Sequence, residues 1–290
     1  MDSQPLSLQH AETIESIMRP WRAHLGKDCL SDFFFSNLYL FRSAHAYQLR
    51  PGDWPSISGL TYDGVRHVLP LFALHQASQA DLKRLLGTHD CFYPVTAEVV
   101  AQLDPEQFDI TAHAADADYL YPADHFRHYR GDLLHKKKNQ MRQLLDRGEV
   151  SSQTLRSTHL DDAHQVLAQW LHDKHKTAHE ADAPACQEAL RLMHALHLEG
   201  AVYYLDRQPI GFLLAQHISP TVAVMRFAKG MDHLKGIYQY MFQQVCQAHP
   251  DLHWLNFEQD LGVENLRQTK LSYQPTHLLA KYRLRLNQLL

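Results

Sequence analysis

The chain has 290 residues, 45% hydrophobic and 21% charged, enough to bury one large core or two of ordinary size, and two are expected. No apolar run approaches the ~20 residues needed to cross a bilayer, and the opening MDSQPLSLQH has neither a basic nor an apolar leader region, so a cytoplasmic protein without integral membrane association is expected. The cysteines Cys29, Cys91, Cys186 and Cys246 form no CxxC pair, which argues against a zinc knuckle or a disulfide scaffold and for small buried hydrophobes.

In the first half, a helix near Gln9 to Met18 turns Ala11, Ile14, Ile17 and Met18 inward. After FFFSNLYLFR come short strands at Ala46 to Leu49, Pro55 to Thr61 and Val65 to Phe72, then a helix around Gln79 to Leu86. A strand at Phe108 to His113 leads into a basic helical stretch from Pro122 to Arg147, which Gly131 interrupts. The polar run RGEVSSQT marks a boundary near Glu149 to Gln153, dividing the chain into domains 1–150 and 151–290.

The second half predicts helices at Asp161 to Lys174 and Pro184 to His197, then strands at Ala201 to Leu205, Pro209 to Ile218 and Thr221 to Ala228. An amphipathic helix from His233 to Ala248 follows, with Leu234, Ile237, Tyr238, Met241, Val245 and Ala248 on its apolar face. A buried strand at His253 to Phe257, a short helix at Val263 to Leu271 and an alternating strand from Thr276 to Leu286 close the chain. Antiparallel strands first and a parallel crossover last make an α/β sheet.

Charge is unevenly spread. Arg127 to Arg147 carries seven cations against two acids, a net +5, and Arg267 to Arg285 carries five cations and no acid, another +5, so these two places are suited to a polyanion. Among 22 histidines, His172, His175 and His179 fall on one side of a predicted helix near Asp173 and Glu180, but a polar helix end explains them and no metal is expected. Neither a GxSxG elbow nor a GxxxxGK[ST] loop occurs, so hydrolase and nucleotide-triphosphate readings lack their usual motifs.

The densest set of polar groups is NFEQDLGVENLRQTKLSYQP, Asn256 to Pro275, which follows an apolar strand and reads as the rim of a site. Glu258 or Asp260 is suited to take a proton, Lys270 or Arg267 to stabilise developing negative charge, and Tyr273 to relay a proton or shape a pocket.

The element order resembles the fold of the GCN5-related N-acetyltransferases, in which a glycine-rich loop at a helix N-terminus holds the pyrophosphate of acetyl-CoA. The equivalent stretch here, MRFAKGMDHLKGIYQYM, has Gly230 and Gly236 but not the RxxGxG/A register, and it carries Asp232 where that anion would sit; acetyl-CoA is therefore not the expected cofactor. The combination of SNLYLFR, DYLYP, GDLLHKKKNQM, the long 256–275 motif and KYR resembles a bacterial family grouped with the C-terminal catalytic domain of phosphatidylglycerol lysyltransferases. That family looks like tandem GCN5-type folds, a layout shared with the Fem peptidyltransferases, and the resemblance runs from about Ser31 to Arg283. It implies tandem GCN5-related N-acyltransferase-like α/β domains, each a mixed, splayed sheet flanked by helices.

It also implies transfer of an aminoacyl group from aminoacyl-tRNA, as co-substrate, to an amine or hydroxyl acceptor. The membrane-spanning half of the lipid-modifying enzymes is missing from this sequence, which points away from a lipid acceptor. On this reading Glu258, Asp260, Lys270 and Tyr273 are catalytic, and Asn256, Gln259, Arg267, Arg226, Asn37 and Arg42 contact substrate. Lys136, Lys137, Lys138 and Arg142 would meet tRNA phosphates, reading charge and shape rather than base sequence. All four residues Glu258, Asp260, Arg267 and Lys270 are expected to line one cleft between the halves. The alternatives are an acyl-CoA-dependent N-acyltransferase and a non-catalytic module that binds a peptide or polyanion.

Overall fold

The computed structural model describes residues 3–177 and 182–287. Its chain divides into two compact units: one takes the chain up to Asp118, then Gln259–Glu264, then from Leu278 onward, and the other takes Tyr119–Glu258 and Asn265–His277. In chain order the first segment forms β1 (Gln4–Pro5), α1 (Ala11–Leu25), α2 (Phe35–Leu40), β2 (Gln48–Arg50), β3 (Ser56–Leu60) and β4 (Arg66–Pro70). It continues with α3 (Gln79–Leu86), β5 (Cys91–Val95), α4 (Ala97–Val100) and β6 (Phe108–Ala112).

The second segment forms β7 (Asp118–Pro122), α5 (Ala123–His128), α6 (Asp132–Leu145), β8 (Val150–Thr154), α7 (Leu160–Asp173) and α8 (Ala183–Leu192). Then come β9 (Glu199–Leu205), β10 (Gln208–Ser219), β11 (Val222–Gly230), α9 (Ile237–Ala248), β12 (Trp254–Asn256), α10 (Glu264–Leu271), β13 (His277–Leu279) and β14 (Tyr282–Leu286). Two mixed sheets result, in the orders β1-β2-β3-β4-β5-β14-β6 and β13-β7-β12-β11-β10-β9-β8.

Local chemistry accounts for the element ends. Ser78 caps α3 by accepting the Asp81 amide at 3.1 Å, and Gly87 stops the helix at φ 51°. Gly131, at φ 84°, separates α5 from α6, a conformation that L side chains rarely adopt. Helix α6 then buries Leu134, Met141 and Leu144 at helical spacing and leaves Lys136 and Arg142 exposed. The first core gathers Val68, Phe92, Val95, Phe108 and Leu284; the second gathers Tyr121, Phe126, Leu213, Ala223, Phe242 and Leu255. Phe126 is fully buried among the rings of Tyr121, Tyr129, Phe242 and Phe257, so Phe126→Ala would cost about 3 to 5 kcal/mol.

The contacts divide the chain at Asp118/Tyr119 rather than near residue 150. The polar run read as a boundary is β8, which pairs antiparallel with β9 from Val150↔Leu205 to Thr154↔Ala201, and β7 pairs with β12. An exposed edge strand needs no apolar alternation, so its sequence looks like a linker. The expected single strand from Thr276 to Leu286 is also two elements, β13 in the second sheet and β14 between β5 and β6 of the first. Lys281, in the first unit, is nearly fully buried, with its Nζ 2.5 Å from Asp32 and 2.7 Å from Asp118. Alternation over Thr276 to Leu286 would put Leu278 and Leu284 on one face, but Leu278 is half exposed and Leu284 lies in the first core.

Among the described residues no helix is long and apolar enough to cross a membrane. His179 and Glu180 lie outside the described residues.

Candidate active site

Strands β11 and β12 run parallel through Val222↔Trp254, Ala223↔Leu255 and Val224↔Asn256. Pairing stops there, while β11 runs on to Gly230, so the second sheet opens along the far half of β11. On its other side β11 stays paired with β10, with a shift of register between Leu214↔Phe227 and Ala215↔Met225. Arg226 is the extra residue of that bulge. A bulge kinks its strand and re-aims the side chain it carries, and here it sits beside the opening.

The re-aimed guanidinium is almost fully buried and is held from two sides. Its Nε and Nη2 donate to Gln216 Oε1 at 3.2 and 3.1 Å, and Nη1 donates to the Glu258 carboxylate. Gln216 is itself oriented, its Nε2 donating to the Leu196 carbonyl at 3.1 Å. A buried cation in such a fork loses little freedom when it meets a second anion, and Glu258 keeps about a quarter of its side chain exposed.

The turn after β12 is fixed by its own polar groups. Asn256, fully buried, accepts the Glu258 amide through Oδ1 at 2.7 Å, and Glu258 adopts φ 58°, in the left-handed region that a glutamate seldom occupies. Lys270, from α10, donates to the carbonyls of Phe257 and Glu258 at 2.7 and 3.0 Å, and the Glu258 carbonyl also accepts the Tyr119 amide. Lys270 thus braces the backbone that presents Glu258. Arg267, three residues earlier on α10, is half buried.

Tyr273 is a residue of the second core. Its ring packs near Phe126, Phe242 and Phe257, its hydroxyl accepts Gln239 Nε2 at 2.9 Å, and burial pushes its phenol far up. The phenol is therefore held protonated within the aromatic cluster. Lys137, expected on the tRNA face, instead lies 4.0 Å over the Tyr273 ring, and desolvation, with Lys136 nearby, pulls it down to about 8. Lys136 and Arg142 are exposed on α6 and Lys138 is half buried.

The remaining expected residues belong to the first unit. Asp260 is fully buried and accepts the Gly262 amide through Oδ1 at 2.8 Å while its carbonyl accepts Val263, a turn in which Leu261 and Gly262 have positive φ. Gln259 accepts Lys281 Nζ at 3.0 Å. Asn37 donates to the Ser31 carbonyl at 3.3 Å, and Arg42 donates to the Tyr39 carbonyl at 2.6 Å with its guanidinium 3.8 Å over that ring, so both bind locally around α2. Of the four acids and cations expected to line one cleft, Glu258, Arg267 and Lys270 belong to the second unit and Asp260 to the first.

The second +5 segment is not a cationic surface. Arg283 is buried, 2.8 Å from Asp63 and 2.9 Å from Asp116, and Lys281 is held between Asp32 and Asp118. Desolvation by itself would lower Lys281, but the two carboxylates overcome it and hold its ammonium well above the ordinary lysine value. Sequence reading missed Gln216, Asp63, Asp116 and Asp118 altogether. A glutamine inside IGFLLAQHI is a signal that was available, because a polar residue in a buried strand needs a partner.

Helix α9 starts at Ile237, with Gly236 as its N-cap at φ 101°, and a Cβ at Gly236 would stand 2.1 Å from the Gln140 carbonyl oxygen of α6. A Cβ at Gly230 would stand 2.8 Å from Ile237. Helix packing therefore accounts for both glycines. The Asp232 carboxylate is 2.6 Å from Lys174 Nζ, and its amide donates to Asp173 at 3.2 Å.

Among solved structures, a Bacteroides thetaiotaomicron protein of unknown function is 21% identical with a TM-score of 0.79, covering 99% of this chain and 100% of that one. The C-terminal domain (DUF2156) of a putative lysylphosphatidylglycerol synthetase from Agrobacterium fabrum is 14% identical with a TM-score of 0.61, over 97% and 91%. FemX is 9% identical with a TM-score of 0.58, over 99% and 98%. An uncharacterized protein of Mycoplasmoides gallisepticum (strain R(low / passage 15 / clone 2)) is 25% identical over 182 residues, 59% of this chain, and the match spans only 56% of that relative's length. Together with a tandem GNAT protein from the clavulanic acid biosynthesis pathway, 11% identical with a TM-score of 0.50 over 98% of each chain, these neighbours show a mixed α/β fold of the GNAT-like and Fem-like kind. The match to the family described as phosphatidylglycerol lysyltransferase, C-terminal, covers residues 27–285, and the chain belongs to that family.

Proposed function

We propose that this protein moves an aminoacyl group from aminoacyl-tRNA to an amine or hydroxyl acceptor at the opening beside β11. Family and fold support an acyltransferase; the aminoacyl donor is our reading. The observation that carries it is the bulged Arg226, buried between Gln216 and the partly exposed Glu258.

An aminoacyl ester is already activated, so the protein has to position the acceptor, stabilise an oxyanion and manage one proton. The acceptor nitrogen or oxygen attacks the ester carbonyl, and Glu258 takes its proton. The tetrahedral oxyanion forms beside the fixed positive charge of Arg226, with Arg267 of α10 as a second cation. Collapse breaks the bond to the ribose oxygen, which receives the proton back from Glu258. Asn256 and Lys270 hold the strained turn that carries Glu258, and Tyr273 with Lys137 closes an aromatic wall. Lys136, Lys138 and Arg142 of α6 meet phosphates of the donor. A charged tRNA donor fits a cytoplasmic location.

An acyl-CoA donor is disfavoured by the acids at the α9 entry: Asp232 and Asp173 occupy the neighbourhood in which a pyrophosphate would need amide donors. The test incubates the protein with tRNA charged with labelled amino acids and with extracts as acceptor source, following label out of the tRNA into a new amide- or ester-linked product. Transfer that is lost in Glu258→Gln and Arg226→Met supports the reading. Thiol release from acetyl-CoA with no transfer from any charged tRNA overturns it.

A further inference from the structure

At the outer end of β9 and β10 three ligand-type side chains converge, away from the groups used above. Glu199 stands opposite Ala215 in the β9/β10 register, which makes His217 its diagonal neighbour, and the two form an ion pair. His249, at the C-terminal end of α9, brings Nε2 to 3.7 Å from Glu199 Oε1. The two imidazole rings lie 5.0 Å apart at 54°, and one ligand atom from each of the three residues falls within 4.8 Å of the other two.

We propose that Glu199, His217 and His249 form a binding site for a divalent transition-metal ion of the zinc class, with a coordination position left open to water. Two imidazole nitrogens with one carboxylate oxygen suit zinc, nickel or copper, whereas magnesium and calcium require mostly oxygen. Bonds of about 2.0 to 2.2 Å place tetrahedral ligand atoms roughly 3.4 Å apart, close to the spacing between Glu199 and His249.

The orientation of His217 is already set as a ligand requires. Its Nδ1 donates to the Ser219 carbonyl at 3.3 Å, so when an ion displaces the Nε2 proton shared with Glu199 the ring keeps Nδ1–H and offers Nε2 as the ligand nitrogen. The backbone carrying His249 is likewise fixed: its amide donates to the Val245 carbonyl, and its carbonyl accepts Arg127 Nη2 at 3.0 Å. All three side chains keep roughly a quarter to a half of their surface exposed, so an ion reaches them from solvent and a water completes its shell. Consecutive positions of a strand face opposite sides, which places His217 on the face of β10 away from Gln216. A bound ion would tie the β9/β10 pair to the end of α9.

The experiment titrates zinc chloride into the metal-stripped full chain by calorimetry at pH 7.5, with magnesium chloride as the comparison. One saturable zinc site, no magnesium binding, and a rise in melting temperature with zinc are expected. His217→Ala, His249→Ala and Glu199→Gln should each weaken that site by more than about tenfold, at least the loss known for partners one shell further out. Circular dichroism confirms that these surface variants fold. No saturable zinc binding, or equal zinc affinity in the wild type and the His217→Ala/His249→Ala double variant, would overturn the assignment and leave a plain Glu–His ion pair.

Discussion

Two segments of equal formal charge, Arg127–Arg147 and Arg267–Arg285, have opposite fates. In the first, Lys136 and Arg142 stand in solvent on a helix whose apolar side faces the second core. In the second, Lys281 and Arg283 are buried and surrounded by Asp32, Asp63, Asp116 and Asp118. A run of like charge therefore says nothing about its partners until distant acids are placed. The same residue type stands in solvent in one segment and forms a structural ion pair in the other.

The comparison breaks most readily at Lys281. Replacing it by Met leaves Asp32 and Asp118 without their shared cation, and a loss of about 3 to 5 kcal/mol in urea unfolding is expected, against less than about 0.5 kcal/mol for Lys136→Ala. Equal effects would mean that burial does not distinguish the two segments. A change of similar size should appear in chemistry at Glu258: Glu258→Gln keeps the shape but removes the proton acceptor and the counter-charge of buried Arg226, so turnover with charged tRNA should fall roughly 10²- to 10⁴-fold in a variant that circular dichroism shows to be folded, alongside a lower melting temperature.

Salt dependence sharpens the contrast next. Replacing Lys136, Lys138 and Arg142 together by Ala should reduce the slope of log affinity for tRNA against log salt by about 0.7 to 0.9 per lost contact, whereas Lys137→Ala, packed on Tyr273, should leave it nearly unchanged. If the triple variant keeps the full slope, α6 is solvated surface. The smallest expected effect is the acid sensitivity of the first unit. Burial, with His45 and His89 adding to it, pulls His67 down to about 3, between the rings of Tyr47 and Tyr93. The unfolded chain then binds a proton between pH 6.5 and 3 that the folded chain does not, so this site costs nothing above pH 6.5 and destabilises progressively below it. His67→Phe should shrink the drop in unfolding midpoint between pH 7 and pH 5, and an unchanged drop would assign the sensitivity to other groups.

Periodicity and turn chemistry reach as far as a single element does. The helix over Gln79–Leu86 and the break at Gly131 match the sequence expectation, and the α9 helix and the strands β10 and β11 match it to within a few residues, because apolar spacing and glycine conformation act locally. The dense set of polar residues from Asn256 onward, after an apolar strand, was also visible in the sequence, whereas the complete burial of Asn256 was not. What the sequence could not specify were the pairings between remote positions: β14 joining β5 and β6 rather than the second sheet, Lys281 set between Asp32 and Asp118, and Arg226 turned by a bulge toward Glu258. Those depend on which strands meet and in what register. A buried charge finds its partner only through tertiary contact, so only the folded chain decides whether a cation faces solvent, braces a turn or waits at an opening in the sheet.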